Sequence, residues 1–213
     1  FAFPALMALA YPRATERGGF GLGQGLAFLA FLLLYTLIGA LRFEVGGDWE
    51  PYLEIFEDVS SGSLGYALTS TDPAYGLLNW VSARVDGGIY LVNGICCWIL
   101  GYGLISAATR LRDPWLALTI AVPYLLIVGG LGYVRQGAAI GMLMLALAHF
   151  DQGRTLRTVA CLVVAVLFHS TAIIALPLFA FTMVRGNVFA ATAFAAIGVL
   201  AYFFLLAPRL DRL

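Results

Sequence analysis

Long apolar runs constrain this chain more than any other feature. Residues 20–41 are apolar for about twenty positions, which is the length that crosses a bilayer as a helix. Similar runs occupy 89–108, 115–131, 158–181 and 188–207. With 62% hydrophobic and 11% charged residues and a mean hydropathy of +0.91, a soluble domain is excluded. We predict an all-α, polytopic transmembrane helix bundle of about six spans, with 1–213 as a single transmembrane domain.

The segment 42–88 is the one long polar interruption. Apolar side chains recur at helical spacing within DWEPYLEIFEDV, which predicts a short helix along the membrane surface. Asp72 followed by Pro73 is a typical helix start, with Asp72 as the N-cap. The helix that Pro73 opens is too short to cross a membrane, so we expect it to be interfacial or re-entrant.

The distribution of arginine predicts the orientation. Formal net charge is zero, so bulk charge indicates no particular partner. With the first link inside, eight of the twelve arginines face the cytoplasm, as the positive-inside rule expects, and 42–88 lies outside with eight of the twelve acids. The eight arginines are Arg13, Arg17, Arg110, Arg112, Arg154, Arg157, Arg209 and Arg212.

The start of the chain and its cysteines carry smaller predictions. FAFPALMALAYP has no initiator Met and no basic region before the apolar run, so it does not resemble a signal peptide. We expect it to be the tail of a helix whose beginning is missing, and therefore a truncated chain. Cys96, Cys97 and Cys161 lie in predicted spans, where core packing is favoured over a disulfide or a metal site.

The stretch GGLGYVRQGAAIG, residues 129–141, places Arg135 and Gln136 inside an apolar region. An arginine at bilayer depth costs from about 2.5 to over 10 kcal/mol, so it usually faces a cavity or a partner. The flanking glycines allow the backbone to break and place Arg135 at the floor of an external cavity. The alternative is a helix-end arginine that extends to the outer surface.

His169 is predicted to lie at a similar depth. Counting 1.5 Å of rise per residue puts Arg135 roughly 22 Å above Phe150 and His169 roughly 16 Å above Thr158. An arginine and a histidine at matched depth favour an anionic head group, because the guanidinium fork suits phosphate oxygens. A neutral imidazole bonded to a neighbouring helix is the alternative for His169. No acid in the spans offers an ion-pair partner, and Arg42 is a further contributor or simply extends to the surface.

Four motifs in order resemble the EpsG-like, Wzy-type polysaccharide polymerases. They are RFEVGGDWEPY (42–52), TDPAYGLLNW (71–80), YVRQGAAIGM (133–142) and LFHSTAIIALP (167–177). Arg135, His169 and Asp48 match the positions that the family's motifs mark. The resemblance implies a multi-pass protein of the bacterial inner membrane whose active site faces outward.

The implied reaction is glycosyl transfer between lipid-linked sugars. An acceptor hydroxyl attacks the anomeric carbon of a glycan on undecaprenyl pyrophosphate, and lipid pyrophosphate leaves. Arg135 would stabilise the leaving group, His169 would bond the phosphates or deliver a proton, and Asp48 would be the first choice of general base. Glu50 and Asp72 are the next candidates for the general base after Asp48. The candidate substrate-binding residues are Arg42, Glu50, Tyr52, Asp72, Tyr75 and Gln136.

The implied partners are the polyprenyl-pyrophosphate-linked donor and acceptor and the membrane lipid, with no nucleic acid. No cofactor is required, although the D-x-E spacing of Asp48 and Glu50 leaves a divalent cation open. Two alternatives to the enzyme remain, a flippase for the same lipids and a non-catalytic membrane subunit.

Overall fold

The computed structural model describes residues 1–11 and 20–183, and every regular element in these ranges is helical. The predicted all-α bundle is confirmed. The elements are α1 (Ala2–Ala10), α2 (Leu22–Ala40), α3 (Trp49–Ser61), α4 (Leu64–Ser70), α5 (Pro73–Arg84), α6 (Gly88–Ala108), α7 (Pro114–Ala121), a π-helix (Val122–Gly132), α8 (Val134–Asp151), α9 (Thr155–Phe168), a 3₁₀ helix (Ser170–Ala175) and α10 (Leu176–Met183). The span predicted at 188–207 lies outside the described residues.

Three helices in the described part of the chain are long and apolar enough to cross a membrane. They are Leu22–Ala40, Gly88–Ala108 and the continuous α7 and π-helix, Pro114–Gly132. The predicted single span at 158–181 is wrong, because α9 ends at Phe168 and the backbone at His169 is extended. The break frees backbone groups that need new partners. One of them, the N–H of Ser170, donates to the carboxylate of Asp72.

α6 is the central helix of the bundle. Of the three long apolar helices it is the most covered by protein. In its most apolar stretch of 18 residues 61% are buried, against 28% for α2 and 33% for the segment formed by α7 and the π-helix. One side of α6 packs into a core with α3, α5, α8 and α9, and the other into a core with α2 and α7. Neighbouring Cys96 and Cys97 are divided between these two cores and are both buried, which confirms the core-packing role predicted for them.

Glycines allow α6 and α8 to approach each other closely. A Cβ atom on Gly141 would lie 2.6 Å from the Cα of Leu100 and 2.5 Å from the carbonyl oxygen of Ile99, and one on Gly103 would collide with the carbonyl oxygen of Gly141. Small residues at such crossings are the usual way in which membrane helices pack, since lipid provides little hydrophobic drive for their association. The crossing fixes the position of α8, which carries Arg135.

Gly141→Ala should destabilise the protein, because the added methyl meets backbone atoms that cannot rotate away. We expect a loss of about 2 kcal/mol, typical of overpacking, and a lower midpoint of thermal unfolding in detergent. The matched control is Gly25→Ala on α2, where an added Cβ meets nothing within 4 Å. That change should be neutral or stabilise by about 0.5–1 kcal/mol. Equal midpoints for the two variants would contradict the close crossing.

The segment after α2 folds into α3, α4 and α5, which pack on the bundle. Tyr52 and Val59 of α3 are buried, and Leu53, Ile55 and Phe56 are half-buried against the core. The apolar stripe predicted on this helix therefore faces α5 and the bundle. Its acids lie on the exposed side: Glu50, Glu54, Glu57 and Asp58.

Candidate functional site

Arg135 lies in the first turn of α8, directly after a break in the helix. The π-helix ends at Gly132, Tyr133 has a non-helical backbone, and α8 starts at Val134. Gly46, with φ +94°, brings the loop after α2 so close that a Cβ there would lie 2.8 Å from the Cα of Gly132. The backbone break predicted from the glycines is thus present and is packed against the segment that follows α2.

Asp72 occupies the centre of the site. Its Oδ2 lies 3.3 Å from Nη1 of Arg135 and 3.4 Å from Nδ1 of His169. Its Oδ1 accepts a hydrogen bond from the backbone N–H of Ser170 at 3.3 Å. Nη1 of Arg135 also donates to the hydroxyl of Thr71 at 3.0 Å. One carboxylate therefore joins the two residues that the sequence predicted to lie at the same level.

The sequence had assigned Asp72 another role first, as the N-cap of α5. Asp72 does precede Pro73, but its side chain makes no capping hydrogen bond. The carboxylate instead contacts Arg135 and the break that follows α9. The acidic partner of Arg135 is therefore not in a predicted span but in the segment 42–88.

Three helix ends meet at this point. α5 and α8 begin here and α9 ends here, at Asp72, Arg135 and His169. The N-termini of α5 and α8 carry partial positive charge and the C-terminus of α9 carries partial negative charge, while Arg135 adds a full positive charge. The carboxylate of Asp72 pairs with the guanidinium of Arg135.

Access differs among the three side chains. The side chain of Asp72 is 5% exposed, whereas those of Arg135 and His169 are 27% and 20% exposed. A carboxylate opposite Nδ1 favours the tautomer that carries its hydrogen on that nitrogen, which leaves Nε2 as the basic atom on the opposite side of the ring. The site thus presents a cation and an imidazole to a ligand and keeps its carboxylate behind them.

Tyr75 and Tyr52 lie behind Arg135. The guanidinium carbon is 5.9 Å from the centre of the Tyr75 ring, and the two tyrosine rings are 5.6 Å apart. Tyr75 is fully buried and Tyr52 is 3% exposed, so neither faces open space in this structure. Burial raises the pKa of Tyr52 to about 12, and its phenol stays neutral. Their predicted substrate contacts stay predictions, and the geometry favours a role in holding Arg135.

Arg42 is buried rather than extended to the surface. It is 5% exposed and donates to the carbonyl of Val45 at 3.1 Å and to Oδ1 of Asn93 at 3.3 Å. Its guanidinium also lies 5.4 Å from the Trp49 ring. These contacts tie the loop after α2 to α6. The interpretation of Arg42 as a snorkelling side chain is therefore wrong, and its predicted contact with substrate stays untested.

Asp48 and Glu50 lie at the start of α3, half-buried and exposed respectively. Among the described residues no hydrogen bond or ion pair joins either of them to Arg135 or His169. The same part of the chain contains no group of three His, Cys, Asp or Glu side chains placed to hold a metal ion. The predicted roles of Asp48 and Glu50 as general base or as a D-x-E cation site stay predictions.

A cavity of about 420 Å³ adjoins the site between α8 and the 3₁₀ helix. His169 and Gln136 both line it, whereas Arg135 is not among its lining residues and is linked to His169 through their shared partner Asp72. The prediction that Arg135 and His169 line one cavity, with Arg135 at its floor, therefore stays a prediction. The remaining lining residues are Ala139, Ile140, Leu143, Thr171, Ala172, Ile174, Ala175 and Leu178.

Comparison with known proteins gives one match. The sequence model described as the EpsG family matches residues 25–213, which is most of the chain. No curated protein and no solved structure matches.

Proposed function

The chain belongs to the EpsG family, and from this premise we propose that it is a membrane glycosyltransferase. It would polymerise oligosaccharide units linked to undecaprenyl pyrophosphate at the outer face of a bacterial inner membrane, with release of lipid pyrophosphate. Family membership supports a membrane protein similar to polysaccharide polymerases. The observation that carries the chemistry is the contact of one buried carboxylate, Asp72, with both Arg135 and His169.

Arg135 would bind the pyrophosphate. Negative charge develops on the leaving phosphates as the glycosidic bond to the lipid breaks, and a fixed cation stabilises that charge. Asp72 and Thr71 both contact Nη1, so the guanidinium is held in place before the substrate arrives. Such preorganisation removes the cost of reorienting the charge during the reaction.

His169 would act as general base on the acceptor hydroxyl. Asp72 contacts Nδ1, orients the ring and stabilises the imidazolium that forms when Nε2 takes the proton. The oxygen then bonds to the anomeric carbon of the donor as pyrophosphate leaves toward Arg135. Asp48 remains the alternative base.

His169→Gln tests this role. Loss of a general base typically lowers the rate by about 10²–10⁴-fold, so we expect a fall of that size in chain lengthening. The measurement uses purified protein in detergent with lipid-linked oligosaccharide, followed by separation of products by length. The chain has one other histidine, His149 near the end of α8, and His149→Gln should retain activity. Unchanged lengthening by His169→Gln would remove His169 from the mechanism.

Transport of the same lipids is the second candidate function. It is favoured by the two helix interruptions, the π-helix before α8 and the extended backbone at His169, because transporters often bind substrates at broken helices. Detergent separates the two functions, since lengthening can proceed there and flipping has no meaning. A protein that moves lipid-linked sugar across liposomes but never lengthens it would be a transporter, and one that does neither would be a non-catalytic subunit.

A further inference from the structure

The cavity beside His169 changes in character along its length. On α8 its lining residues are Gln136, Ala139, Ile140 and Leu143, which follow the spacing of a single helix face. The polar member lies at the end next to Arg135, and Leu143 lies seven residues further, roughly 10 Å along the axis. The cavity therefore begins polar and becomes apolar.

The opposite wall follows the same order. His169 and Thr171 come first and are followed by Ala172, Ile174 and Ala175. Ile174 is 64% exposed, so this wall borders the outer surface of the bundle. Ile174 is therefore accessible from outside the bundle.

We propose that this groove holds the isoprenoid chain of the lipid carrier, with its phosphates at the polar end, toward Arg135. The inference rests on the proposed function and adds the place where the carrier lies. Charge complementarity supports it, because Gln136, His169 and Thr171 form a polar end and His169 contacts Asp72, the partner of Arg135, whereas the remaining lining residues are apolar.

A photoreactive farnesyl pyrophosphate, with a diazirine at the end of its chain, tests the placement. The full chain is purified in detergent, illuminated with the probe, digested and analysed by mass spectrometry. We expect cross-links in the peptides that contain 139–143 or 172–178. Undecaprenyl pyrophosphate should compete for labelling, and phosphatidic acid should not.

Variants that fill the groove should reduce labelling. Ala175→Phe narrows it and should lower labelling at least tenfold, while Ala160→Phe, at an exposed position of α9, is the matched control and should retain it. Ile174→Trp enlarges an exposed side chain and serves as a second filling variant if Ala175→Phe does not fold. Labelling outside the groove, equal competition by phosphatidic acid, or full labelling in both filling variants would overturn the inference.

The lengthening assay on the same preparation separates this inference from the proposed function. Active lengthening with labelling elsewhere would contradict the groove alone. Labelling within the groove by a protein that lengthens nothing would contradict the enzyme and leave the lipid site in place.

Discussion

Asp72→Asn is expected to lower chain lengthening by about 10²–10⁴-fold while leaving the fold intact. Asparagine has the shape of aspartate and remains a good residue before a helix, so α5 should still begin at Pro73. It lacks the charge that stabilises a protonated His169. Its amide also cannot fix the hydrogen on Nδ1 as a carboxylate does, because one half of the group is a donor.

The matched control is Asp48→Asn, which makes the same change in the other candidate base. Asp48 is half-buried and, among the described residues, makes no ion pair with Arg135 or His169. As a substitution away from these contacts, it should leave lengthening within about threefold of the wild-type rate. If Asp48→Asn is inactive and Asp72→Asn is active, then Asp48 is the base and Asp72 only supports the structure. Thermal unfolding of both variants in detergent confirms that each is folded.

The helices could be predicted from sequence, and Arg135, His169 and Asp72 could all be named as candidate residues, for identifiable reasons. Apolar runs predict spanning helices because length and hydropathy are local properties. The start of α5 followed from Asp72 and Pro73, and an intramembrane arginine and histidine stand out because such residues are costly. Each of these inferences uses residues that are neighbours in the chain.

The contact that joins the site could not be obtained in this way. Asp72 is 63 residues before Arg135 and 97 before His169, and no periodicity relates positions so far apart. One signal was present: an arginine without an acid in its spans needs a partner from elsewhere, and the helix after Asp72 was already predicted to be interfacial or re-entrant. Capping is the commoner use of an aspartate at that position, so the local pattern favours it over a catalytic or substrate-binding role for Asp72.

The break at His169 was missed for a related reason. Residues 158–181 form one apolar run, and nothing in LFHSTA requires the helix to stop. The structure stops it there and satisfies one freed donor, the N–H of Ser170, with the carboxylate of Asp72. The stabilising partner of the break is thus distant in sequence, so the local pattern contains no trace of it.

Arg135→Ala should remove lengthening by about 10²–10³-fold, the usual cost of losing a group that stabilises developing negative charge. It should also destabilise the fold. Asp72 is almost completely buried, and the variant removes the guanidinium that pairs with its carboxylate, which we expect to cost about 3 kcal/mol. Activity alone therefore cannot separate a catalytic arginine from one that only balances Asp72.

A double variant makes this separation. Arg135→Ala combined with Asp72→Ala removes both charges, so its loss of stability should be smaller than the sum of the two single losses by about 1–3 kcal/mol. Lengthening should nevertheless remain absent, because neither the phosphate-binding cation nor the partner of His169 is restored. Arg135→Lys keeps the charge without the planar fork and should recover stability more fully than activity. If instead the double variant regains lengthening together with stability, Arg135 serves the fold, and the pyrophosphate must be bound elsewhere.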